Sequence, residues 1–293
     1  MRVTLADVKT AKPPRTVYIA FEGHQVAVRS DAPEVLAGFE SIYSAMVVAA
    51  ATRAVGHLEV SGNGGMYYVR GDTVALDEGS LADVLRWLRC SVIQVLMQDR
   101  PDLLWFHAGA AASGGRAVLL PGARGRGKST LVTGLCAHGW TYLSDDVVPL
   151  NPTSSCVVPF PLTPERREFP GQEMRGDWLR ARNKVEVTLS PGSLCRQPVP
   201  LGALIFPSYA AGGGPAELAP CPPAQAVVEL LQQCWNYASH RKAAVRYLCD
   251  LIGRVPAYRL VFSDGELAAE LLTRSRLMGE PQPSAESDHA RTS

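Results

Sequence analysis

Gly122-Ala123-Arg124-Gly125-Arg126-Gly127-Lys128-Ser129-Thr130 carries every fixed position of the pattern G-x-x-x-x-G-K-[ST]. The apolar run before it, Arg116-Ala117-Val118-Leu119-Leu120, reads as a strand. The residues from Lys128 to about His138 read as a helix, with Gly139 placed to end it in a left-handed conformation. A strand, a glycine-rich turn and a helix in that order gather backbone N–H groups and the positive end of a helix at one point, which suits a phosphate. In such a P-loop the lysine reaches the β- and γ-phosphates of ATP and the following hydroxyl reaches Mg²⁺. Residues Gly122, Ala123, Arg124, Gly125, Arg126, Gly127, Lys128, Ser129 and Thr130 are therefore the nucleotide-binding candidates. Arg124 and Arg126 have two readings, as solvated loop charges or as a contact to the γ-phosphate or the acceptor.

The next strand, Trp140-Thr141-Tyr142-Leu143, delivers Ser144, Asp145 and Asp146. This is a βαβ pattern, so parallel pairing of its two strands is expected. In open α/β sheets ligands sit at the carboxyl ends of the strands, where the loop and the aspartates both emerge. Two adjacent carboxylates beside Mg²⁺·ATP can divide the work, one holding metal and the other taking the proton of an attacking hydroxyl. Either aspartate can be the base, with Asp145 preferred and Asp146 the alternative; Asp146 and Ser129 are the candidate metal ligands. Upstream, Leu103-Leu104-Trp105-Phe106 reads as a strand leading to His107, and a turn near Ser113-Gly114-Gly115 joins it to the strand at 116–120. Ala108-Gly109-Ala110 would leave His107 uncovered.

Around this centre the chain divides into three parts: a small α+β domain over 1–99, a catalytic α/β domain with a mixed central sheet over 100–278, and a polar tail over 279–293. In the first, Val17–Phe21 and Gln25–Arg29 flank Glu22-Gly23-His24 as a hairpin, and Ser30 and Asp31 are placed to cap a helix starting at Pro33. A meander of short strands over 57–75 precedes a helix from Ser80, its N-cap, to about Gln98. In the second, Ala203–Phe206 and Tyr258–Phe262 read as strands, 210–223 as a loop, and 224–239, 242–252 and 265–276 as helices. Arg166, Arg167, Arg175 and Arg180 read as a solvated face or as a contact for an acidic substrate.

The bulk numbers bound the function. Of 293 residues, 46% are hydrophobic and 19% charged, the balance of a globular protein, and a formal net charge of +1 gives no general case for nucleic acid or membrane as partner. The start MRVTLADVKTAKPPR has no apolar h-region, and a cytoplasmic protein is expected. The seven cysteines are scattered without a C-x-x-C pair, which points to reduced thiols and leaves metal binding to carboxylates and phosphate.

Taken together, FHAGA, LLPGARGRGKSTL and GWTYLSDDVVPL resemble the HPr kinase/phosphorylase family, specifically its related kinase branch. The likeness is close over about 103–150 and fades on either side. It implies a P-loop fold of that type, ATP and Mg²⁺ as cofactors, Lys128 and one of Asp145 and Asp146 at the reaction, and a functional His107. The segment that supports phosphorolysis in true HPr kinases has no recognisable copy, so the implied substrate is a hydroxyl, a serine above all, on another peptide or protein. Members of this branch phosphorylate lasso-peptide precursors, and Val158-Pro159-Phe160-Pro161 also looks like theirs. The resemblance further implies a homo-oligomer. A small-molecule kinase, or a nucleotide-dependent switch or ATPase module without an acceptor, are the alternatives.

Overall fold

The computed structural model describes residues 13–49, 53–63, 65–71, 75–167, 184–189, 192–275 and 277. The expected tail at 279–293, and Arg175 and Arg180, lie outside the described residues. The chain forms two compact units, Met1–Leu103 with Pro161–Thr163, and Leu104–Phe160 with Pro164–Ser293.

The first unit opens with strands β1 (Arg15–Phe21) and β2 (His24–Ser30), paired antiparallel. Glu22 and Gly23 between them have φ of 49° and 83°, the doubly left-handed turn that matches strand twist in a two-residue hairpin. Helix α1 (Pro33–Ile42) begins with proline at its first turn, but its N-cap is Ala32, which makes no side-chain cap. The expected caps are used elsewhere: Ser30 Oγ accepts from the Ala32 amide, and Asp31 Oδ1 accepts from Gly62 N. Strands β3 (Val47–Val48), β4 (Gly56–Asn63), β5 (Met66–Gly71) and β6 (Ala75–Gly79) complete a six-stranded sheet in the order β3-β1-β2-β4-β5-β6. Strand β4 lies parallel to β2, so the meander is grafted onto the hairpin rather than standing alone. Helix α2 (Leu81–Asp99) starts in a capping box between Ser80 and Asp83 and buries Val84, Leu88, Val92 and Leu96 at helical spacing.

The second unit contains β7 (Leu104–Phe106), β8 (Ala108–Ser113), β9 (Arg116–Pro121), α3 (Lys128–Ala137), β10 (Thr141–Ser144), β11 (Val148–Asn151), β12 (Cys156–Val157), β13 (Glu165–Arg167), β14 (Lys184–Glu186) and β15 (Val199–Tyr209). It ends with β16 (Glu217–Pro220), α4 (Pro223–Gln233), α5 (Tyr237–His240), α6 (Lys242–Ile252), β17 (Ala257–Phe262) and α7 (Gly265–Arg274). The main sheet runs β10-β8-β9-β15-β12-β11-β7, with β17 also on β15 and β16 on β17. Pairing of β15 with β9 and with β17 is parallel and the rest is antiparallel, which makes this an α/β unit with a mixed sheet.

Alternate residues of the central strands feed two cores. Leu119, Leu204 and Phe206 pack with α4 and α6 through Leu230 and Leu248, while Val118, Leu120, Ala203 and Ile205 pack with α3 and α7 through Leu131, Leu135 and Leu272. Burial on both faces explains why these strands read as continuous apolar runs.

Three expectations are corrected here. Strand β8 lies between β9 and β10 and is antiparallel to both, so the two strands flanking α3 run the same way without pairing. Its sequence, AGAAAS, hides a strand because alanine and glycine have weak β preference. The small side chains are needed for close packing: a Cβ on Gly109 would lie 2.6 Å from Val132 Cγ2 of α3. Strand β16 forms inside the expected loop at 210–223, and the helix expected over 224–239 breaks at Cys234. Among the described residues no helix is long and apolar enough to cross a membrane.

Candidate functional site

The glycine-rich loop leaves the end of β9 and enters α3 at Lys128. Gly125 and Gly127 have φ of 88° and 91°, and a Cβ on Gly127 would meet Phe262 Cζ at 2.4 Å. Backbone angle and space both demand glycine at 127. Arg126 spans from the loop to β15, where its guanidinium donates to Ser208 Oγ at 2.9 Å; Arg124 is exposed. Both arginines are exposed, and Arg126 stitches the loop to β15.

Lys128 is 6% exposed, yet its ammonium is surrounded by acceptors. It donates to Gly122 O at 2.7 Å and to Ala123 O at 3.2 Å, and lies 3.1 Å from His107 Nε2. Ser129 and Thr130 occupy the first turn of α3, half-buried.

His107 sits between β7 and β8. Its amide donates to Gln233 O at 2.8 Å, and its carbonyl accepts from Gly122 N at 3.4 Å, which ties it to the start of the loop. Its Nε2 also lies 3.1 Å from Asp146 Oδ1. One ring nitrogen cannot serve both partners at once: carrying a proton it donates to Asp146, and bare it accepts from Lys128.

The aspartates follow β10, whose end is locked by the buried Ser144 hydroxyl set against Val147 O and, at 2.6 Å, Phe160 O. Asp145 is 5% exposed, and its Oδ1 lies 3.7 Å from where a Cβ on Gly109 would stand. The same point is 3.8 Å from Lys128 Cβ, so the carboxylate and the lysine stem both border Gly109. Asp146 turns the other way. Its φ of 74° is left-handed, a conformation aspartate tolerates better than most residues, and its side chain is 44% exposed.

One residue beside this group has no counterpart in the sequence reading. Trp235 stacks on His107, ring centroids 5.9 Å apart and planes 25° from parallel. The break after α4 places it there: Trp235 N donates to Trp105 O at 2.8 Å, and Phe106 and Cys234 form an antiparallel bridge. The buried Asn236 accepts from Trp105 N through Oδ1 at 3.0 Å, and its Nδ2 lies 3.0 Å from His240 Nε2. The sequence signal was a Cys-Trp-Asn interruption in an otherwise amphipathic helix, visible but unconnected to residue 107.

The structure thus brings together His107, Lys128 and Asp146 by direct contact, with Asp145 alongside. Among the described residues no cluster of three or more His, Cys, Asp or Glu forms a cage for a metal. Two carboxylates and a hydroxyl beside a glycine-rich turn fit Mg²⁺ instead, which binds through one or two carboxylates and completes its shell with phosphate and water. No protein-family model matches the chain, and no curated protein matches it.

Proposed function

We propose that the second unit is a P-loop domain of the HPr kinase type and that the chain is an ATP-dependent kinase acting on a hydroxyl, a serine of a peptide or protein. The observation that carries this reading is the meeting of Lys128, His107 and Asp146 within hydrogen-bond reach at the mouth of a glycine-rich loop. A bare nucleotide switch needs the loop and one carboxylate; a second carboxylate at Asp145, buried beside the lysine, is what a hydroxyl acceptor requires.

In this reading the loop amides of 122–127 and the N-terminus of α3 cradle the phosphates. Lys128 exchanges its bonds with the Gly122 and Ala123 carbonyls for the terminal phosphate oxygens and balances the charge that gathers there during transfer. Ser129 and Asp146 hold Mg²⁺, which neutralises phosphate charge when bound. Magnesium keeps several of its waters, so it would suit the more open carboxylate, Asp146, which His107 orients through Oδ1. Asp145, out of bulk water, accepts the proton of the attacking hydroxyl.

The test is Asp145→Asn, assayed with γ-labelled ATP, Mg²⁺ and a lysate of the native host. Wild type is expected to label a peptide or protein, and the variant to bind ATP with unchanged affinity but label nothing. Labelling at the wild-type rate in the variant removes Asp145 from the chemistry. Release of free phosphate alone by wild type makes the chain an ATPase switch, and labelling of a metabolite alone makes it a small-molecule kinase.

A further inference from the structure

Trp235 holds a half-exposed indole on a rigid support. Its flanking residues Cys234 and Asn236 are 7% and 8% exposed, whereas Trp235 itself is 45% exposed. Gln233 O accepts from His107 N, Trp235 N donates to Trp105 O of β7, and the Asn236 side chain accepts from Trp105 N, so the indole is not on a free loop. Single exposed apolar side chains are common, and what distinguishes Trp235 is that its ring is held against His107 between two buried neighbours. An aromatic side chain pre-set on a rigid element and left facing outward is the usual form of a binding contact.

Its position says which ligand it meets. Lys128 marks the end of the loop where the terminal phosphate lies, and His107 is in contact with Lys128 on that side. Trp235 lies against the His107 ring, one residue further from the lysine. The ribose and two further phosphates separate a nucleobase from this place, so the indole faces what approaches the terminal phosphate and not the base. Tyr237, 39% exposed and two residues along, adds a second aromatic group to the same stretch.

We infer that Trp235 is the acceptor platform of the kinase proposed above, and that the acceptor is a peptide segment with an aromatic or large aliphatic side chain next to its reactive hydroxyl. Stacking that neighbour on the indole would fix the hydroxyl over Asp145, supplying orientation that a serine by itself lacks. The inference rests on the kinase reading and adds to it a specificity residue and a substrate class.

The experiment uses the full chain, Mg²⁺, γ-labelled ATP and a positional library of serine-centred peptides. Wild type is expected to phosphorylate peptides with Phe, Tyr, Trp, Leu or Met beside the serine at least about tenfold better in kcat/KM than those with Gly. Trp235→Ala should erase that preference through a higher peptide KM, with kcat and ATP affinity little changed, and Trp235→Phe should restore most of it. A wild type without the preference, a Trp235→Ala protein that retains it, or a loss confined to kcat for every peptide overturns the inference and leaves the kinase standing. The last pattern would mean that the indole only steadies His107. If Trp235→Ala does not fold, the wild-type and Trp235→Phe preferences decide alone. Absence of any phosphorylated peptide overturns the inference, and absence of ATP binding overturns the kinase reading itself.

Discussion

Lys128 Nζ and His107 Nε2 stand 3.1 Å apart, and the same ammonium is bonded to the carbonyls of Gly122 and Ala123. The lysine is therefore stored against its own loop, with its charge satisfied before any ligand arrives. Replacing it by methionine keeps the buried stem and removes the charge. Lys128→Met is expected to weaken nucleotide binding at least about tenfold, about 1.4 kcal/mol, and to abolish transfer. Its melting temperature should fall modestly, because the Gly122 and Ala123 carbonyls lose their donor when the ammonium is removed. Calorimetric titration with ATP and a thermal melt check the two halves.

His107 acts on Asp146 through one contact of 3.1 Å. Removing a partner that orients a metal-binding carboxylate typically costs about 10–100-fold in metal affinity. His107→Ala should accordingly raise the Mg²⁺ concentration needed for half-maximal activity by that factor. Asp146→Asn should do so more severely while preserving the fold, because asparagine tolerates a φ of 74° as well as aspartate does. Magnesium titrations of activity, with circular dichroism as the folding control, measure both.

Gly127→Ala should fail for two separable reasons. A left-handed φ of 91° costs a side-chain-bearing residue about 1–2 kcal/mol, and the new methyl would meet Phe262 Cζ at 2.4 Å. With overpacking added, the expected loss is about 2–4 kcal/mol in urea unfolding. Gly127→Ala with Phe262→Leu should recover only the packing part and still bind nucleotide poorly.

Burial pushes the Cys136 and Cys234 thiols up from 9.0 to about 11, because the thiolate is the form that burial disfavours. A raised pKa in the folded state contributes stability that is complete below pH 9.0 and is lost as pH rises from 9.0 towards about 11. Stability should therefore be level up to pH 9.0 as far as these thiols are concerned and fall above it. Replacing both cysteines by alanine should flatten that decline at some packing cost. At neutral pH a thiol reagent should reach the exposed Cys90 and Cys249 first, the half-buried Cys136 more slowly, and the buried Cys234 only on unfolding.

Much of the second unit could be read from its chain because its signals are local. The loop, its helix to Gly139, and the strand carrying Asp145 and Asp146 each announce themselves within ten or so residues of sequence. The Ser80 N-cap of α2 and the β1–β2 turn were legible for the same reason. What escaped depends on contacts distant in sequence. Strand β8 is alanine and glycine because α3 presses on it, a constraint that no short window contains. Ser30 and Asp31 looked like helix caps until Gly62 and the Ala32 amide competed for them. Trp235 could not be joined to His107, since only the tertiary fold brings the break after α4 against β7.

That last joint has a consequence in time. The Trp105 amide is buried and finds its acceptor in Asn236, 131 positions later in the chain. On a ribosome adding about 5–20 residues each second, roughly 7–26 s pass between the synthesis of one and of the other. Within that interval the glycine-rich loop and the aspartates are made, while the segment that seats His107 follows only at its end. A nascent chain thus carries its glycine-rich loop and aspartates without the finished centre, and the group around His107 is completed only once Asn236 has been made.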